Sequence, residues 1–106
     1  MKFKRSKATD ITMKVKRIVF ARDNGKCIIC GNPGLPNAHY IRRTQNGLGI
    51  EENVVTLCLD CHNAYDDGFK RKEYGLLIKK YLKRQYGKRW NEKNLIYNKW
   101  AEFAIK

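Results

Sequence analysis

Apolar residues recur at helical spacing near the start of the chain, where Ile11, Val15, Ile18 and Val19 follow Thr9 or Asp10, either of which can cap a helix. Asn24-Gly25 then supplies a stop, so the pattern predicts a helix over about 11–23. The period changes further on. Ala38-His39-Tyr40-Ile41-Arg42 has the β-branched and aromatic content of a short strand, and the stretch 43–52, with Gly47 and Gly49, reads as a loop. Asn53-Val54-Val55-Thr56-Leu57 returns from that loop, and Cys58 to Asp67 reads as a short helix closed by Gly68. Strand, loop, return segment and helix make a ββα unit. Beyond it, residues 74–86 place Leu77, Ile78, Tyr81 and Leu82 on one face and Lys79, Lys80, Lys83 and Arg84 largely elsewhere, which predicts a basic amphipathic helix. The end, Leu95-Ile96-Tyr97 through Trp100 and Phe103, is compatible with a strand or a helix.

The cysteines change this picture most. Cys27-Ile28-Ile29-Cys30-Gly31 and Cys58-Leu59-Asp60-Cys61 are two C-x-x-C pairs, and each pair spaces two thiolates for two corners of a tetrahedron around zinc. Gly31 can take the positive φ that turns backbone amides toward the cysteine sulfurs. A thioredoxin-like redox pair would need a single C-x-x-C at a helix start within a βαβ pattern, and neither the second pair nor the surroundings provides that. At 106 residues and 42% hydrophobic composition, a single domain over 1–106 is expected. Apolar burial alone leaves a domain of this size only marginally stable, so a metal joining distant segments would contribute much of its folding free energy. The chain has no apolar run of membrane-spanning length, and its basic start Met1–Lys7 is not followed by the apolar stretch of a signal peptide. A cytoplasmic location without membrane association is therefore expected, a reducing compartment in which four cysteines favour metal over disulfides.

Charge narrows the class of partner. The net charge is +13, from 23 Lys and Arg against 10 Asp and Glu, and so large an excess points to a polyanion as well as to a solvated surface. Its distribution is uneven, with residues 1–26 at +7, residues 69–106 at +9 and the middle, 27–68, at −3. Basic arms around an acidic centre suit a site that holds a divalent cation beside phosphates. Both histidines, His39 and His62, fall in that acidic middle, and four cysteines already fill a zinc site without them.

The order C-I-I-C-G, A-H-Y-I, E-N-V-V-T-L-C and C-H-N over Cys27–Gly68 resembles the HNH nucleases, with His39, Asn53 and His62 at the H, N and H of the name. R-D-N-G-K-C and G-L-G-I-E-E-N are similar to short HNH proteins of bacteriophages and prophages. The resemblance implies an α+β fold, a small zinc-stabilised ββα-metal core of treble-clef-like form flanked by basic helices. It also implies a metal-dependent DNA endonuclease that hydrolyses phosphodiester bonds, by nicking or double-strand cleavage, in a bacterial host cell.

In that family the first histidine, here His39, acts as general base on water, a role suited to an imidazole titrating near neutral pH. Asn53 would orient that imidazole or its loop, and His62 would bind a catalytic Mg²⁺, Mn²⁺ or Ni²⁺ alongside one structural Zn²⁺ on Cys27, Cys30, Cys58 and Cys61. Arg42 and Arg43 are placed in sequence to hold phosphate, and Lys79, Lys80, Lys83 and Arg84 are expected to bind nucleic acid. Family members usually carry Asp or His immediately before the base, whereas this chain has Ala38, which cannot ligate metal. On a helix beginning at Cys58, Asp66 lies four residues after His62 on the same face and is a candidate substitute ligand. The alternative is a non-catalytic zinc-stabilised module that binds DNA or RNA. DNA is the expected partner, with phage packaging proteins as a family-level possibility.

Overall fold

The structure, a computed structural model, describes residues 4–98. Its elements in chain order are α1 (Lys4–Thr9), α2 (Met13–Arg22), β1 (Leu35–His39), β2 (Val54–Leu57), α3 (Leu59–Asp66) and α4 (Arg71–Tyr86), with short 3₁₀ turns between and after them. β1 and β2 form a two-stranded antiparallel sheet in which Ala38 faces Val55 and His39 faces Val54. The fold is α+β.

The helix expected over 11–23 forms as α2, Met13–Arg22, and a short helix that the pattern did not predict, α1, precedes it. Thr12, and not Thr9 or Asp10, caps α2, its hydroxyl accepting from the Val15 amide at 3.2 Å. Thr9 and Asp10 instead sit at the junction of α1 and α2, where the Asp10 carboxylate pairs with Arg43 and the Thr9 carbonyl meets His39. A tertiary partner has taken the Asp10 carboxylate that a cap would have used. The stop at Asn24-Gly25 forms, with the Gly25 amide bonded to the Phe20 carbonyl at 2.9 Å. Of the apolar stripe only Val19 is fully buried, and Ile18 is exposed.

The first strand runs Leu35–His39, earlier than the predicted 38–42. It starts between Pro33-Gly34 and Pro36, residues of loop type, because Leu35 pairs with Leu57 across a register irregularity before Ala38. Tyr40 to Arg42 lie past its end, drawn off by the Asn53 side chain, which bonds both the amide and the carbonyl of Ile41. β2 is buried at all four positions, consistent with its β-branched content.

α3 follows the prediction closely, capped by Cys58 and followed by Gly68 at φ +83°. α4 starts three residues before the expected 74. It buries Ile78 and Leu82, while Leu77, assigned to the apolar face, is exposed together with Leu76. After α4, Trp90 covers the core, its indole N–H donating to the Glu52 carbonyl at 2.8 Å. Leu95 to Tyr97 make neither a regular strand nor an α-helix: a 3₁₀ turn over Glu92–Leu95 leads to an isolated bridge between Gly47 and Ile96. Trp100 and Phe103 lie outside the described residues.

One polar cluster ties these elements together. The Arg22 guanidinium makes two bonds to the Asp23 carboxylate, at 2.7 and 3.0 Å, and further bonds to the carbonyls of Glu51 and Val54 and to the Tyr86 hydroxyl. Asp23 in turn accepts from the Thr56 amide and the Tyr81 hydroxyl. The Asp23 side chain is wholly buried and that of Arg22 nearly so, which makes every missing partner costly. Asp23→Ala is expected to destabilise the zinc-loaded protein by about 3–5 kcal/mol, since it leaves a buried guanidinium without its counter-charge. Chemical denaturation of the two proteins side by side measures the difference.

Candidate metal centre and catalytic cleft

The two cysteine pairs meet. The sulfurs of Cys27, Cys30, Cys58 and Cys61 lie within 4.8 Å of one another, and all four are free thiols. Four sulfurs bound to zinc at about 2.3 Å stand about 3.8 Å apart, so the quartet needs only a small contraction to close on an ion. Cys30 Sγ and Cys58 Sγ are already 3.5 Å apart. Two local features build this arrangement. The first knuckle turns on Gly31, at φ +83°, whose amide bonds the Cys27 carbonyl at 2.9 Å. The second pair starts α3, where the Cys58 sulfur accepts from the Cys61 amide.

Burial opposes ionisation of the Cys27 thiol, but amide hydrogen bonds from Cys30, Cys58 and Ile29 outweigh it and bring its pKa down to about 7. Burial and the adjacent thiols push Cys61 the other way. A zinc ion would resolve that crowding by taking the place of the thiol protons.

His39 ends β1 and lines a cleft of about 360 Å³ with Asp10, Ile11, Lys16, Asn37 and Arg43. Its Nε2 lies 2.8 Å from the Thr9 carbonyl oxygen. A carbonyl only accepts, so Nε2 carries the proton and Nδ1 keeps its lone pair. Burial lowers the His39 pKa against the pull of the Thr9 carbonyl, with Arg43 and His62 also lowering it and Asp66 raising it. The neutral, proton-accepting form is thereby favoured.

His62 and Asp66 share one face of α3, with Nε2 and Oδ2 3.0 Å apart. At that distance the two are in ion-pair contact, and each carries an atom of a kind that ligates divalent cations. Among the described residues, the cysteines form the sole cluster of three or more potential ligands.

The Asn53 side chain does not bond His39. Its oxygen accepts from the Ile41 amide and its nitrogen donates to the carbonyls of Ile41 and Leu48, and the residue is fully buried. It braces the loop leaving His39. Arg42 donates to the Asp66 backbone carbonyl at 2.8 Å, at the end of α3, while Arg43 is held by Asp10. Arg42 and Arg43 are thus gathered around His39 and Asp66. Lys79 pairs with Glu92 at 3.3 Å and lines a different cleft with Tyr40 and Arg71, whereas Lys80, Lys83 and Arg84 are exposed along α4.

Two contributions had little or no signal in the sequence. Asn37 lines both the His39 cleft and an adjoining one with His62, which makes it the residue joining the two histidines' surroundings. Strand alternation, two residues before His39, is the signal that points to it. Residues 8–11 reach the cleft only through the fold, and no local pattern announces that.

Ala38 has no exposed surface and packs in the core with Val55 and Cys61. An alanine there satisfies packing, and the position is closed to a cation. Ala38→Asp is therefore expected to lower stability by about 3 kcal/mol or more, by burying a carboxylate without a partner, and to leave divalent-ion affinity unimproved. Thermal unfolding and a Mn²⁺ titration check the two parts. Zinc is expected at one equivalent per chain, and Cys58→Ser should bring zinc content and the cooperative unfolding transition down together. Elemental analysis with calorimetry measures both.

No curated protein and no solved structure matches the chain. The stretch from the first knuckle to the end of the second, with the hairpin and α3, does have a counterpart: residues 27–68 match the family model described as HNH endonuclease.

Proposed function

We propose that the chain is a metal-dependent DNA endonuclease in which His39 is the general base. The observation that carries this reading is the His39 imidazole, fixed at Nε2 and with Nδ1 unprotonated, close enough to the His62–Asp66 pair to interact electrostatically with both. The HNH match over 27–68 supplies the class of reaction.

His39 Nδ1 takes a proton from water, and the water oxygen attacks the phosphorus of a DNA phosphodiester as the bond to the leaving 3′-oxygen breaks. A divalent ion bound at His62 and Asp66 would stabilise the charge that builds on the phosphate and the leaving oxygen. Asn53 keeps the loop after His39 in place, and through it Arg42 and Arg43. Those two arginines and the exposed Lys80, Lys83 and Arg84 on α4 hold the DNA backbone, with Lys79 joining them if it leaves Glu92. The quartet of cysteines holds structural zinc, separate from the chemistry.

The competing reading, a zinc-stabilised module that binds DNA or RNA without turnover, draws on one observation. The position before the base is a buried alanine, so one usual ligand is missing.

Plasmid nicking in Mg²⁺, Mn²⁺ or Ni²⁺ against a chelator control decides between them. His39→Ala is expected to lower the nicking rate by about 10²–10⁴-fold while zinc content and DNA affinity hold. Because the base must be unprotonated and burial lowers its pKa, nicking should persist as pH falls below the ordinary histidine range, then drop through the folded-state pKa. A rate that His39→Ala leaves unchanged, or binding without nicking in every metal, overturns the proposal.

A further inference from the structure

Three of the four residues Ala8–Ile11, which close α1 and turn the chain toward α2, make contacts that converge on the His39 loop. The Ala8 carbonyl accepts from the Gly49 amide at 3.0 Å, the Thr9 carbonyl from His39 Nε2 at 2.8 Å, and the Asp10 carboxylate from Arg43. Thr9 is buried. The fit against the loop is close: a Cβ built on Gly49 would stand 2.1 Å from the Asp10 carbonyl oxygen and 2.9 Å from the Ile11 amide nitrogen. This strap lies outside residues 27–68, the part that matches the HNH family model.

We propose that Ala8–Ile11 is a positioning strap of the catalytic site, holding the His39 imidazole through the Thr9 carbonyl so that Nδ1 is presented to the cleft. The inference rests on the reading of His39 as general base. Residues 27–68 on this account are an incomplete catalytic unit, because they contain the base but not the group that fixes its tautomer and ring angle. A carbonyl at 2.8 Å holds the proton on Nε2 and restrains rotation about the bond to the ring. Without it the ring can turn, and the proton can exchange between the two nitrogens. A misplacement of about 1 Å at a reacting atom is enough to cost about 10²-fold in rate.

Gly49 offers a way to lift the strap without altering any group that touches substrate. Its added methyl in Gly49→Ala meets the Asp10 backbone, which is not a flexible side-chain end and has to move. Full-length, zinc-loaded unaltered protein, Gly49→Ala and Asp10→Ala are compared, the last removing the carboxylate that Arg43 grips. Two readouts are taken: the ¹⁵N-correlated proton resonance of His39 Nε2, and steady-state plasmid nicking.

The unaltered chain is expected to show a hydrogen-bonded Nε2 proton that exchanges slowly with water. In Gly49→Ala that resonance should be lost to exchange and kcat should fall about 10²-fold, with KM for DNA and zinc content close to unchanged. Asp10→Ala should shift both readouts the same way by a smaller amount, so a Gly49→Ala chain that fails to fold still leaves a test. A resonance that survives in both variants, or one that is lost while kcat is unaffected, overturns the proposal. Absence of nicking by the unaltered chain overturns the nuclease reading instead, and the resonance still reports whether the strap holds the ring.

Discussion

The buried Arg22–Asp23 pair is the interaction on which the rest of the molecule hangs. A small domain has few ways to fix the angle between its elements by apolar packing alone, and this one uses directional bonds to do so. From the end of α2, the pair bonds the backbone of β2 at Val54 and Thr56 and the hydroxyls of Tyr81 and Tyr86 on α4. The helix before the sheet and the helix after it are thereby referred to the same strand. Burying two charges is expensive, and the expense is met here because each donor and acceptor finds a partner with good geometry. The outcome is a frame in which β2 cannot shift without breaking bonds on both sides.

The cysteine quartet works on that frame at the other end of β2. One pair lies just past α2 and the other starts α3, so closing the quartet fixes the knuckle, the hairpin and the first turn of α3 together. α3 is only eight residues long, too short to hold its own direction in water, and its cap is a metal-ligand candidate. His62 and Asp66 inherit their position from that cap. The cation site proposed for them thus depends on the thiol cluster although no thiol takes part in it.

Around the cleft, the proposed chemistry draws on segments far apart in sequence. His39 comes from the hairpin, His62 and Asp66 from α3, and the carbonyl that orients His39 from the N-terminal strap. Asn53 contributes from within, bonding backbone on both sides of the loop that carries Arg42 and Arg43. His39 is held by a backbone carbonyl that is not itself reactive, which is how an imidazole keeps one tautomer and one angle.

What the sequence by itself determined was whatever depends on residue type at short spacing. The two C-x-x-C pairs specified a four-thiol cluster, Asn24-Gly25 and Gly68 ended helices where they stand, and His62 with Asp66 at i and i+4 could be placed on one helical face. The order of motifs over Cys27–Gly68 resembled the HNH nucleases, and the HNH family model matches that same stretch. The tertiary structure decided everything in which a group chooses between a local and a distant partner. Asp10 suits a helix cap, yet Arg43 claims its carboxylate. Tyr40 to Arg42 suit a strand, yet the buried Asn53 amide takes the backbone bonds at Ile41. Leu77 suits an apolar face, yet it stays exposed while α4 buries Ile78 and Leu82. At Ile41, a local signal worth about 1 kcal/mol is outweighed by the hydrogen bonds of the buried Asn53 amide, which form only once the chain has closed.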